Sequence, residues 1–263
     1  MKNKQSPKKL FWDFIIVVVI IIIGAILSLV FRFKGLTSSL FFFFLPSFYL
    51  LCRQPKRLHR IFGGSFLIGT IFGFIFDFMA NIGHAWAEYN SQLVFPYRIL
   101  GVVPLDELIW YFGWVLVIVT FYEHFLEHER RDTISHNYKY GLLPALFTTA
   151  SILVIYIVAP DKLVLGHTYL LLGLCTLVPF IYLTIKKPVL FIKFMSISPF
   201  FFFLFSIHEI TALIIGQWYF PGRYIGVVSI GNLSFPFEEF FFWILMSSTI
   251  VLSYYELYVD DER

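Results

Sequence analysis

Six carboxylates carry the recurring chemistry of this 263-residue chain. Asp77, Ala80, Trp86, Pro104 and Glu107 return 132 residues later as Glu209, Ala212, Trp218, Pro236 and Glu239. Within that pattern the acidic doublets Asp106-Glu107 and Glu238-Glu239 lie just after the two prolines and open long apolar runs. Asp77 and Glu209 instead lie inside apolar stretches, near one end of each. A charged side chain deep in a bilayer costs about 2.5–3.5 kcal/mol, so such acids face a cavity or a partner. In a water-poor pocket a carboxyl keeps its proton near neutral pH. A protonated acid of this kind can add its proton to a carbon–carbon double bond. Aromatic faces would steady the resulting cation, and a second carboxylate could remove a proton to finish. That is redox-neutral acid–base isomerisation, with no cofactor and no metal.

Plainer readings stand beside each of these residues. Proline followed by acids also suits any helix start, where the missing N–H is not needed and carboxylates answer the positive end of the dipole. Adjacent helical residues point about 100° apart, so one acid of a doublet can cap while its neighbour faces inward. Glu107 and Glu239, identical in the two copies, are expected inward, with Asp106 and Glu238 beside them. Asp77 and Glu209 could instead form structural ion pairs with Arg98 or Arg223. Trp86, Trp218, Tyr89 and Tyr219 are candidate substrate contacts, although aromatic belts at a membrane interface are ordinary. His208 either tunes Glu209 or is a satisfied buried ring. No His-x-x-x-His and no carboxylate-rich helical repeat occurs at ligand spacing, so no metal is expected. Without Gly-x-Gly-x-x-Gly or a phosphate loop, no flavin or nicotinamide is indicated. The absence of an Asp-rich diphosphate motif argues against a prenyltransferase. Cys52 and Cys175 read as isolated thiols.

The elements that must position these residues are membrane helices. The chain is 59% hydrophobic and 14% charged, whereas soluble domains carry about a quarter charged residues. Eight apolar stretches, near 12–31, 36–52, 62–82, 104–122, 141–159, 165–184, 189–214 and 236–255, are suited to crossing roughly 30 Å of hydrocarbon. The first lacks a small-residue cleavage site and reads as a retained helix. With a cytoplasmic N-terminus, 15 of the 20 Lys and Arg fall on the cytoplasmic side, among them Lys2, Lys4, Lys56, Arg130, Arg131 and Arg263. The positive-inside rule then puts both termini in the cytoplasm of a multi-pass cell-membrane protein. The slight basic excess follows topology and does not call for nucleic acid.

Shifting the helices by 132 superimposes the first four on the last four. An all-α integral membrane protein of about eight transmembrane helices is expected, built as two four-helix repeats over 1–123 and 141–263 joined by a cytoplasmic linker over 124–140. Four helices return the chain to its starting side, so the copies should be parallel. Pro55 and Pro188 add a matched pair 133 apart. Semi-polar, aromatic loops of roughly twenty residues precede each doublet and are candidates to re-enter the interior.

An Asp or Glu plus a Trp, followed by Pro-x-Asp/Glu-Glu opening the last helix of each unit, resembles the membrane-integral lycopene cyclase family, the heterodimer-type carotenoid cyclases of archaea, fungi and actinobacteria. The resemblance covers both repeats, here fused in one chain, and is strongest at Pro104 to Phe112 and Pro236 to Phe242. It implies closure of linear lycopene ends into ionone rings, with Glu107 and Glu239 as acid and base and Asp106, Glu238, Asp77 and Glu209 in support. The implied partners are an apolar polyene and the lipid bilayer. A carotenoid-modifying hydratase is a related alternative. A small-molecule transporter is the rival class, since parallel repeats with buried acids also suit alternating access.

Overall fold

A computed structural model describes residues 6–53, 57–127 and 133–260. Lys2, Lys4, Pro55, Lys56, Arg130, Arg131 and Arg263 of the sequence reading lie outside these residues. Among the described residues seven helices are long and apolar enough to cross a membrane: α1 (Pro7–Phe31), α2 (Gly35–Arg53), α3 (Leu58–Ile82), α4 (Leu105–Phe125), α5 (Tyr138–Val158), α6 (Thr168–Lys186) and α7 (Pro188–Ile215). A helix pair, α8, is bent by 60° between Glu239–Leu245 and Ser247–Val259 and makes an eighth span when its two pieces are counted together. Each lies within a few residues of an expected apolar stretch. Local chemistry sets several ends. Ser6 precedes Pro7 at the first turn of α1, and Gly216 closes α7 in the left-handed conformation at φ 76°.

The exterior is apolar and the interior holds the charges. Phe147, Ile157 and Val158 are 75–80% exposed, whereas Arg60, Asp77, Glu209 and Glu256 are fully buried. This is the arrangement expected of a chain whose solvent is lipid. Helix α4 sits at the centre, with Val115 through Val119 wholly buried, while α5 is largely peripheral. Two glycines let α3 approach α4 closely. A Cβ on Gly69 would stand 2.7 Å from the Tyr111 carbonyl oxygen and 2.8 Å from the Phe112 Cα, and one on Gly73 would stand 3.0 Å from the Tyr111 side chain. Small residues at this four-residue spacing permit backbone contact between membrane helices.

Polar networks hold the two ends of the bundle. At one end, Arg60 pairs with Glu123 at 2.8 Å and Asp260 at 3.3 Å, and Lys193 pairs with Glu127. Tyr122 donates to Glu256, and Tyr255 donates to Glu123 at 2.6 Å. Asp13, at the start of α1, meets His124 and Arg53 at the same end, each at 3.0 Å. At the other end the two aromatic loops fold over the helices. Strand β1 (Ala87–Glu88) pairs antiparallel with β4 (Trp218–Tyr219), joining the loops to each other. Each loop also forms a hairpin of its own, β2 (Arg98–Ile99) with β3 (Val103–Pro104) and β5 (Val227–Ile230) with β6 (Leu233–Pro236).

Candidate functional site

Each acidic doublet splits its work between its two members. The Asp106 carboxylate accepts from the backbone N–H of Val94 at 2.6 Å and of Phe95 at 2.8 Å, and Glu238 accepts from the Ile225 N–H at 2.9 Å. The first acid therefore caps the loop that precedes it and stands outside the cavity lining. The second acid, turned about 100° around the helix, faces inward. Glu107 from α4 and Glu239 from α8 line the same cavity, about 270 Å³ in volume, beneath the paired loops.

Behind these two stand the acids of α3 and α7. Asp77 accepts from the Trp86 indole N–H at 3.1 Å and from Asn81 Nδ2 at 3.0 Å. Glu209 accepts from the Trp218 indole N–H, also at 3.1 Å. The two indoles thus fix the two buried carboxyls identically, nine residues along the chain in each case, and both rings line the cavity. Tyr89 and Tyr219 do not reach it. Their rings pack on each other with centroids 4.6 Å apart, and both residues are largely exposed.

Near Glu107 the structure places a further acid. Glu88, in β1, is buried and lines the cavity, and carboxyl oxygens of Asp77, Glu88 and Glu107 lie within 4.8 Å of one another. That spacing would also suit a divalent cation, a grouping not expected from residue spacing along the chain. The positive charge actually in place is the Arg98 guanidinium, 3.9 Å from Glu88 Oε2 and anchored to the Val102 carbonyl oxygen at 2.9 Å. Burial pushes the Glu88 carboxyl above its ordinary range, with Arg98 opposing it. Arg98 therefore meets Glu88 rather than forming the ion pair with Asp77 considered from sequence.

Around Glu239 the surroundings are different. The Tyr169 hydroxyl donates to Glu239 Oε2 at 2.5 Å, and Glu209 is its carboxyl neighbour. The position matching Glu88, 132 residues on, is Phe220. Arg223 is exposed, and among the described residues no Lys or Arg forms an ion pair with Glu209 or Glu239. His208 makes no bond to its neighbour Glu209. Neither ring nitrogen has a hydrogen-bond partner, and the ring lies between Phe42, Phe43 and Trp218. It is a buried ring packed among aromatics.

The cavity wall is aromatic. Trp243 of α8 lies 4.8 Å from Trp110 and 5.2 Å from Trp114, centroid to centroid, and both α4 rings line the cavity with Tyr111. A cation within about 6 Å of such faces is stabilised. Among the described residues no Lys or Arg lines the cavity. Cys175 of α6 both lines it and is exposed, so the cavity communicates with the side of the bundle there. Sequence reasoning overlooked Glu88, Tyr169 and the tryptophan wall. For the wall a signal existed: Glu107, Trp110, Tyr111 and Trp114 follow the i, i+3, i+4, i+7 rhythm of one helix face. For Glu88 and Tyr169 there was none, since the second copy carries no acid at 220.

Compared with known proteins, the chain matches no family model, and neither a curated protein nor a solved structure matches it.

Proposed function

We propose that this chain is a membrane-embedded acid–base isomerase that closes the ends of a linear polyene into rings, a carotenoid cyclase of the lycopene cyclase type. The observation that carries the reading is the meeting of Glu107 and Glu239, the one identical acid pair of the sequence repeat, in a single aromatic cavity. The chemistry needs a carboxyl that retains its proton in an apolar setting, an aromatic wall for a carbocation and a second carboxylate to end the sequence. A proton added to the terminal double bond leaves a tertiary cation. A nearby double bond of the same chain attacks it, the ring bond forms, and loss of a ring proton restores neutrality. Substrate and product are isomers.

Size and access fit one polyene end at a time. An engineered apolar cavity of about 150 Å³ takes up benzene, so 270 Å³ suits one methylated six-membered ring. The rest of a long hydrocarbon would run out past Cys175 into lipid. The buried ion pairs at the far end of the bundle favour this sideways route over a passage through the molecule, and so favour the enzyme over a transporter. A hydratase would share the first protonation and then add water.

The parallel-repeat organisation, over 1–123 and 141–263, belongs to the same proposal. It is supported by the matched Asp77–Trp86 and Glu209–Trp218 bonds and by Ala87 pairing with Tyr219, its own counterpart. The reciprocal Tyr122–Glu256 and Tyr255–Glu123 contacts add to it. The loops and cavity then face the outer half of the membrane, with both termini cytoplasmic. The test is expression in a host that accumulates a linear carotenoid. Ring-bearing isomers of unchanged mass are expected, and they should disappear in Glu107→Gln and Glu239→Gln while the protein remains in the membrane. Hydrated products would assign it to the hydratases, and an unchanged pigment pool beside well-inserted protein would count against both.

A further inference from the structure

We propose that the two carboxyl clusters have opposite roles: Glu239 delivers the proton, and the Asp77–Glu88–Glu107 cluster takes one away. This rests on the cyclase reading above and assigns the direction of proton flow within that site.

The argument is the inequality of the two ends of the cavity. On the α4 side three carboxyls converge, their oxygens within 4.8 Å, and the Arg98 guanidinium faces them at 3.9 Å from Glu88. One fixed positive charge there matches one carboxylate, so the cluster as a whole keeps an ionised member able to accept a proton. On the α8 side Phe220 replaces Glu88, Arg223 is exposed, and no cation pairs with Glu209 or Glu239 among the described residues. Two adjacent carboxyls in an apolar cavity with no compensating cation hold a proton between them. Trp218 fixes Glu209 Oε1, and the Glu209 carboxyl is hydrogen-bonded to that of Glu239.

Tyr169 supplies the positioning. Its hydroxyl donates to Glu239 Oε2 at 2.5 Å, leaving Oε1 to carry the transferable proton. That bond strengthens as Glu239 becomes a carboxylate, so it helps the transition state more than the resting acid. Glu88 reaches the cavity directly and keeps Oε2 free of hydrogen bonds, which makes it, with Glu107, a proton acceptor absent from the other copy. In the step itself, the Glu239 O–H bond breaks as a C–H bond forms at the less substituted carbon of the terminal double bond. The ring C–C bond forms from the π pair of an internal double bond. A C–H bond of the ring then breaks, its electron pair becomes the new ring double bond, and the proton passes to the α4-side cluster. No oxidant or reductant enters.

The test is cyclisation of a linear carotenoid in D₂O by the full-length protein in membranes. Wild type should place one deuterium in each ring formed. Glu239→Gln should leave the linear substrate unlabelled and uncyclised, while Glu239→Asp slows labelling and closure together. Glu88→Gln should slow ring release by roughly 100-fold and Glu107→Gln should abolish it, yet both should return linear substrate carrying deuterium, because the cation still forms and collapses back. Tyr169→Phe should slow closure and enlarge its solvent isotope effect, a change that a merely structural role would not give. Labelled linear substrate from Glu239→Gln, with none from Glu88→Gln and Glu107→Gln, would reverse the roles. The same unlabelled block in all three would show that the clusters act as one. If the inserted wild type forms no ring from any linear carotenoid, the cyclase reading itself fails.

Discussion

At the scale of single residues, neighbouring acids do different work because the helix turns between them. Asp106 satisfies two backbone N–H groups of the preceding loop, whereas Glu107 faces the cavity. Removing a charged acceptor of this kind costs about 1–3 kcal/mol. Asp106→Ala should therefore lower the midpoint of thermal unfolding and expose 90–96 to protease, whereas Glu107→Gln should spare stability and abolish turnover. Melting curves and protease digestion of detergent-solubilised protein, read beside turnover, separate the two. The Glu88 carboxyl, pushed up by burial, carries a pH dependence. Facing it are Asp77, Asp106, Glu107 and Arg98. The folded chain binds this proton more tightly than the unfolded chain, so its stabilising effect is present at low pH and is lost as pH rises through the raised value. In the proposed acceptor role Glu88 must be ionised. Activity should rise with pH through a midpoint above the usual carboxylate range, and Glu88→Gln should move that limb; an unmoved limb in a pH–rate profile would exclude Glu88 as its source. The inward acids were legible in the sequence because they recur. Glu88 was not, because a residue present in only one copy leaves no echo.

At the scale of elements, apolar length carried most of the fold: seven of the eight stretches recur as helices long enough to span and the eighth as the bent pair α8, because a bilayer leaves few ways to satisfy a backbone. What length could not show is how closely two spans approach, or where one bends. The bend in α8 follows the π-helical run Glu239–Leu245, at the residues that open onto the cavity. The β5–β6 hairpin had a visible cue, Gly231-Asn232 between its strands with Gly231 at φ 59°, that apolar length did not register. The approach of α3 to α4 rests on Gly69, whose missing Cβ leaves room for the α4 backbone. Backbone cannot swing aside as a side-chain tip can, so Gly69→Ala should push the helices apart at about 1–3 kcal/mol. The displacement would carry Trp110 and Glu107 with α4. Gly35→Ala, whose Cβ meets nothing within 4 Å, is the matched control and should be near neutral. Thermal stability and turnover of the two variants check this, and equal behaviour would refute the close approach.

At the scale of the whole molecule, neither half of the chain owns a complete cavity. Glu107, Trp110 and Trp114 come from before the 128–132 junction, while Glu239, Trp243 and Tyr169 come from after it. At the far end the pairs also cross between the halves, Arg60 with Asp260 and Lys193 with Glu127. Breaking one partner of a buried pair leaves an uncompensated charge at about 3–5 kcal/mol, although replacing both partners can be neutral. These cross-connections make the halves complementary surfaces, and the covalent link between them should be dispensable. Splitting the chain at 130 and co-expressing the pieces should give a complex that co-purifies from membranes, with turnover close to the intact protein. Either piece alone should give none. Asp260→Asn in the second piece should weaken recovery of the complex far more than it weakens the intact chain, because the tether raises the effective concentration of one half beside the other. Co-purification yields measure this directly, and pieces that each turn over substrate alone would place a separate site in each half.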